Sequence, residues 1–113
     1  LWAPEKQKQF YSGVTDVLRE YISSRYEIGA MEMTTAEIFR DMKPKFEDEP
    51  ADRKELLKDL KNLFETSDFV KFAKHTASEQ ENAAVLPLAV RFVTQTYQDD
   101  LAAQAEENKK EGK

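Results

Sequence analysis

The chain has 113 residues, a formal net charge of −5 and no cysteine; 40% of it is hydrophobic and 35% is charged. This length and apolar share suit one domain with a single core. The acidic balance argues against general nucleic-acid binding and against docking on an anionic membrane surface, since both depend on Lys and Arg. The lack of cysteine excludes disulfides, thiolate nucleophiles and cysteine-ligated zinc within this sequence.

The first predicted element is an amphipathic helix from about Pro4 to Arg25. Proline suits the first helical turn, where its missing N–H group costs nothing. Gly13 weakens the middle of this helix by about 1 kcal/mol. Apolar residues recur at the spacing of one helical face. The predicted buried face consists of Phe10, Val14, Val17, Leu18, Tyr21 and Ile22.

A short extended segment is predicted after Gly29, which interrupts the helical pattern. Met31 and Met33 alternate with a polar residue, as the buried positions of a strand do. This segment is a candidate for one half of a small β-ribbon.

A second helix is predicted from the capping box formed by Thr34 and Glu37. Its end is expected before Pro44, because proline disfavours helix in the residue that precedes it. The inner face of this short helix is predicted to contain Ile38, Phe39 and Met42.

A third helix follows the acidic loop 46–49 and opens at Pro50. Its leucine-rich stripe is the clearest amphipathic pattern in the chain. That stripe contains Leu56, Leu57, Leu60, Leu63 and Phe64. The polar run 66–68 is expected to end the helix. For residues 69–74 both a short strand and another helical turn stay open, and the β-branched and aromatic content favours the strand.

A second capping box, formed by Ser78 and Glu81, predicts a last helix that runs past Tyr97. Pro87 is expected to kink this helix or to shift its start. The predicted buried stripe contains Val85, Leu88, Ala89, Phe92, Val93 and Thr96. Because the chain turns polar beyond residue 98, residues 1–98 are predicted to form one helical domain and residues 99–113 a disordered tail.

These elements predict a mainly α fold of four helices. The segments 31–33 and 70–72 could pair as a two-stranded β-ribbon, which would give a winged-helix-like arrangement. Two strands alone are marginally stable, so the ribbon would need support from the helices. The simpler alternative is an all-helical bundle.

Residues for catalysis or for cofactor binding are not found in this sequence. His75 is the only histidine and has no neighbours with metal-ligand spacing, so we expect a structural role and no metal. The acidic runs 47–49 and 99–100 lack the pocket that catalytic carboxylates require, and we expect them to be solvated. No nucleophile elbow or glycine-rich phosphate loop is present. The sequence therefore predicts no catalytic site, no cofactor site and no enzyme activity.

The candidate interaction surface on the third helix consists of Lys54, Lys58 and Lys61. Their i, i+4, i+7 spacing places them on one face, as in a helix that recognises nucleic acid. Glu55 and Asp59 lie on the same helix, however, and such mixed charges are typical of a solvated face. The net negative charge of the chain favours the solvated face.

Two stretches resemble a known family. Residues 30–35, Ala-Met-Glu-Met-Thr-Thr, lie within the first stretch, 18–38, and the second is residues 68–74. Over about residues 10–97 the chain resembles the cytoplasmic C-terminal region of BatD-like and related bacterial membrane proteins. The resemblance implies a soluble domain after a transmembrane helix, in operons with MoxR-type AAA ATPases and von Willebrand factor A proteins that are linked to aerotolerance and stress. It supplies no catalytic residues, and Pro87 departs from the family's regular last helix.

The chain begins with Leu1 rather than Met, and we expect it to be part of a longer protein. The predicted function is that of a non-catalytic protein-interaction or structural domain of a membrane-anchored bacterial protein. Its expected place is the cytoplasmic side of the inner membrane, with protein partners and without nucleic acid. The alternative is a winged-helix-like nucleic-acid-binding domain that uses the three lysines.

Overall fold

A computed structural model describes residues 3–72 and 76–111, with side chains described through residue 108. Over this part the chain is helical and contains no strand. The α-helices are α1 (Pro4–Tyr26), α2 (Thr35–Met42), α3 (Ala51–Lys71) and α4 (Glu79–Glu111), and 3₁₀ turns lie at Ala30–Glu32 and Lys43–Phe46. The predicted mainly α fold is confirmed, in the form of a helical bundle. His75 lies outside the described residues.

The predicted β-ribbon, and with it the winged-helix-like arrangement, is not supported. The segment around Met31 forms a 3₁₀ turn, and the Arg19 guanidinium holds it by donating to the carbonyls of Ala30 (2.8 Å) and Met33 (2.6 Å). The second segment continues α3 as far as Lys71, and its residues 73 and 74 lie outside the described part. Val70 is buried at helical spacing from the leucine stripe, so packing overrides the strand preference of the segment.

The core lies among α1, α3 and α4, and α2 packs against α3. The apolar stripes predicted for α2, α3 and α4 are buried or half-buried as expected. Both capping boxes are present, with Thr34 bonded to Glu37 and Ser78 bonded to Glu81.

The buried face of α1 differs from the prediction by a rotation of the helix. Val17 is 64% exposed, whereas Gln7, Tyr11 and Thr15 are almost fully buried. Gln7 can be buried because its side-chain amide both donates to the carbonyl of Ala77 (3.1 Å) and accepts from its N–H (3.2 Å). The Thr15 hydroxyl donates to the Tyr11 carbonyl at 2.8 Å. Because these polar groups keep hydrogen-bond partners, their burial costs little free energy.

The helices α1 and α4 run parallel to each other, with α3 antiparallel to both. Gln7 meets Ala77 at one end of the α1–α4 pair, and Arg25 meets Asp100 (3.7 Å) at the other. Arg53, near the start of α3, bonds Asp99 of α4. The described molecule measures 58 × 24 × 22 Å, and the 33 residues of α4 account for about 50 Å of its length at a rise of 1.5 Å per residue.

The polar segment beyond residue 98 differs from the disordered tail predicted for it, because α4 continues to Glu111. Asp99 and Asp100 reach the bundle through their arginine partners, whereas residues 101–108 are exposed. This segment is rich in Ala, Glu and Lys, which have high helix propensity. Pro87 lies inside α4 and does not shift its start from the capping box at Ser78.

Candidate interaction surface

The three predicted lysines line one groove between α2 and α3. The groove has a volume of about 600 Å³ and an apolar floor, to which Phe39 and Phe46 contribute. Leu57 of α3 is half-buried, lines the groove and packs against the core. The side chains of Lys54, Lys58 and Lys61 are exposed along the rim.

Two further cations, Arg40 and Lys43, line the same groove from the other side. They were not predicted from the sequence, because nothing local shows that the end of α2 faces the lysines of α3. The sequence shows only that these two cations are three residues apart at the end of α2 and therefore lie on one helical face. Glu47 is the one acidic residue among those that line the groove, and Asp41 pairs with Arg40 at 2.9 Å. The groove is therefore strongly cationic on a chain whose net charge is −5.

Two charged residues of α3, Asp59 and Arg53, pair with α4 and not with the groove. Asp59 pairs with Arg91 of α4 at 3.5 Å, on the flank away from α2. Arg53 also turns to α4, where it bonds Asp99 (2.7 Å) and Gln95 (2.9 Å), so it does not belong to the basic groove. The lysines are thereby separated from these charged neighbours, and the groove keeps its positive character.

A hydrogen bond and a ring contact hold α2 against α3. The Thr35 hydroxyl donates to the Asp68 carboxylate at 2.7 Å, and the rings of Phe39 and Phe64 pack edge to face with centroids 5.3 Å apart. The N–H and hydroxyl of Thr34 donate to Glu37 and lower the pKa of that carboxyl. These contacts make the groove a preformed feature rather than one assembled on binding.

The titrating groups with shifted pKa values have structural roles. The Arg53 guanidinium lowers the pKa of Asp99 by hydrogen bonding, which keeps the carboxylate an acceptor. Burial raises the pKa of Tyr11 and of Tyr26 to about 12, so both hydroxyls stay protonated. The Tyr11 hydroxyl donates to Asn82 at 2.9 Å. Within the described residues no cluster of His, Cys, Asp and Glu is arranged to hold a metal ion.

Comparison with protein-family models, with curated proteins and with solved structures gives no match to this chain. Among the described helices, none is both long enough and apolar enough to cross a membrane. The described residues form a helical bundle with a cationic groove between α2 and α3.

Proposed function

We propose that this chain is a non-catalytic protein-interaction domain that binds an acidic amphipathic helix of a partner protein in the groove between α2 and α3. The observation that carries the proposal is the set of cations gathered around an apolar floor. That set consists of Arg40, Lys43, Lys54, Lys58 and Lys61.

An amphipathic helix satisfies both parts of this surface. Its apolar stripe would pack on Leu57 and Phe39, and carboxylates on its flanks would pair with the rim cations, as in other helix-in-groove complexes. Exposed ion pairs contribute roughly 0.2–1 kcal/mol each, so the apolar floor supplies most of the affinity and the rim supplies selectivity. The distance from Lys54 to Lys61 along α3 is about 10 Å, which fits about two turns of a bound helix.

Nucleic acid is the competing ligand, since the same cations would attract phosphate groups. The apolar floor of the groove favours the acidic helix, because an apolar stripe can pack on it and a phosphate backbone cannot. Both ligands are therefore included in the test below.

The proposal includes attachment to a membrane on the cytoplasmic side, in a bacterial protein linked to aerotolerance or stress. Its support is the resemblance carried by residues 30–35 and 68–74. Determination of the complete reading frame tests the attachment, because an apolar run of about 20 residues is then expected upstream of Leu1. A complete reading frame without such a run anywhere would refute the attachment.

Binding is tested by fluorescence anisotropy with a synthetic acidic amphipathic peptide, with Leu at helical spacing and Glu on both flanks. Reversal of the rim charges, in the variant Lys54→Glu/Lys58→Glu/Lys61→Glu, is expected to weaken binding at least tenfold, which corresponds to about 1.4 kcal/mol. A labelled DNA duplex and a peptide with Lys in place of Glu are measured in parallel at low salt.

Two control variants separate the groove from overall charge. The triple change of the same lysines to Arg keeps the charges and is expected to retain binding. Lys8→Glu/Lys45→Glu makes the charge more negative outside the groove lining and is expected to change binding little. Binding of DNA but not of the acidic peptide would replace the proposal with the nucleic-acid function, and binding of neither would refute both.

A further inference from the structure

A second groove, between α1 and α4, shares no lining residue with the basic groove. Its volume is about 600 Å³, and its lining contains no charged side chain. Val17 of α1 and Leu86 and Val90 of α4 are at least half exposed there. Apolar side chains gathered at the surface in this way mark a site of association.

Gly13 lies in this groove, in the middle of α1. A Cβ atom added at Gly13 would meet nothing within 4 Å, so packing inside the chain does not require a glycine. Glycine in a helix interior is less stable than alanine. Its presence there is accounted for if another helix crosses α1 at this point, because glycine lets two backbones approach closely.

Charges on α1 are placed symmetrically about Gly13. The seam Lys6, Phe10, Gly13, Val17 and Glu20 advances by four, three, four and three residues. If a second α1 crosses antiparallel at Gly13, then Lys6 of each copy comes next to Glu20 of the other. Lys6 and Glu20 are exposed, and neither has an ion-pair partner in the described part of the chain.

We propose that the occupant of the groove is a second copy of this chain, packed antiparallel about a two-fold axis near Gly13. A two-fold contact uses the same patch on both copies, which the symmetric seam provides. Leu86 and Val90 of α4 extend the apolar patch beside α1. This dimer contact is separate from the proposed function, because it uses no residue of the basic groove and leaves that groove open.

The size of the patch predicts a weak, reversible dimer. The seam from Lys6 to Glu20 is about 21 Å long, and two helices side by side are about 20 Å wide. This area is at the low end for a specific interface. The dissociation constant is therefore expected in the micromolar range, and the association is measured by sedimentation equilibrium from about 10 μM to about 1 mM.

A charge swap is the decisive experiment. Lys6→Glu and Glu20→Lys are each expected to weaken the dimer about three- to tenfold, since each places like charges together at two symmetric positions. The combined variant Lys6→Glu/Glu20→Lys restores opposite charges and is expected to regain the affinity of the original chain. Weakening by both single changes without restoration would contradict the antiparallel arrangement.

Gly13→Ala separates association from folding. The change is expected to raise the Tm of the monomer and to weaken the dimer, two effects that a folding defect cannot produce together. Met31→Ser, at an exposed apolar residue outside the groove, serves as the control and is expected to leave the dimer unchanged. A chain that stays monomeric over the whole concentration range would overturn the proposal.

Discussion

Glu27 ends α1 in the left-handed backbone conformation, with φ 57° and ψ 42°. The sequence pattern predicted that Gly29 would interrupt the helix, yet Gly29 has an ordinary φ of −74°. A side chain in the left-handed region costs roughly 1–2 kcal/mol, which glycine avoids. The chain carries this cost two residues before a glycine, because the turn at Ala30 that Arg19 holds determines where α1 must stop.

Glu27→Gly is therefore expected to stabilise the protein by about 0.5–1 kcal/mol, after allowance for the greater freedom of glycine in the unfolded chain. Urea denaturation measures the change in the free energy of unfolding. Glu65→Gly is the matched control: Glu65 is exposed in the interior of α3, and this change is expected to destabilise by about 1 kcal/mol. Equal destabilisation by the two changes would show that the conformation of Glu27 carries no cost.

The helix α4 packs against the bundle in its first part and is exposed to solvent in its last part. Its first part buries Val85, Ala89 and Phe92 in the core, and Thr96 accepts or donates a hydrogen bond with Tyr21 at 2.6 Å. Among the described residues, the last ion pairs that join α4 to the other helices are those of Asp99 with Arg53 and of Asp100 with Arg25. From residue 101 to residue 108 the helix is exposed, so propensity rather than packing supports it there.

Removal of residues 102–113 is expected to change the free energy of unfolding by less than about 0.5 kcal/mol, because no packing is lost over the described side chains. Removal of residues 99–113 is expected to cost about 1 kcal/mol more, because Arg53 loses Asp99 and Arg25 loses Asp100. Urea denaturation of the two truncated chains measures the difference. Equal stability would place the end of the folded unit at the predicted boundary, residue 98.

Polar contacts between distant parts of the chain hold the molecule in register. Gln7 joins the start of α1 to Ala77, and the Arg53 guanidinium joins α3 to α4 by bonding both carboxylate oxygens of Asp99 (2.7 and 3.1 Å). Hydrogen bonding from Arg53 lowers the pKa of Asp99. A carboxyl with a lowered pKa in the folded state contributes stability above its unfolded pKa, about 3.9, and loses it as pH falls through the folded value.

Asp99→Asn is expected to cost about 0.5–1 kcal/mol at pH 7, a modest value because the carboxylate is 39% exposed in side-chain terms. The difference between this variant and the original chain should shrink as the pH falls below the unfolded pKa, about 3.9, and should disappear once the pH is below the lowered pKa of folded Asp99, where that carboxyl is protonated. Unfolding free energies measured across this pH range test the sign. Asp48→Asn, at an exposed position in the acidic loop, is the control and should show no such gap. A gap for Asp99→Asn that persisted unchanged at low pH would exclude the ion pair as its cause.

Local patterns predicted the helices, both capping boxes and the buried stripes of α2, α3 and α4, because spacing along the chain shows directly which residues share a helical face. The same spacing placed the three lysines of α3 on one face.

Only the tertiary structure decided which faces meet. Gln7 is buried because its hydrogen-bond partner lies 70 residues away, and the segment around Met31 is helical because Arg19 reaches its carbonyls. In the same way, the sequence determined a cationic face on α3, and the packing of α2 added Arg40 and Lys43 and made that face a groove. The physical reason is that periodicity depends on neighbours in the chain, whereas burial and charge clustering depend on neighbours in space.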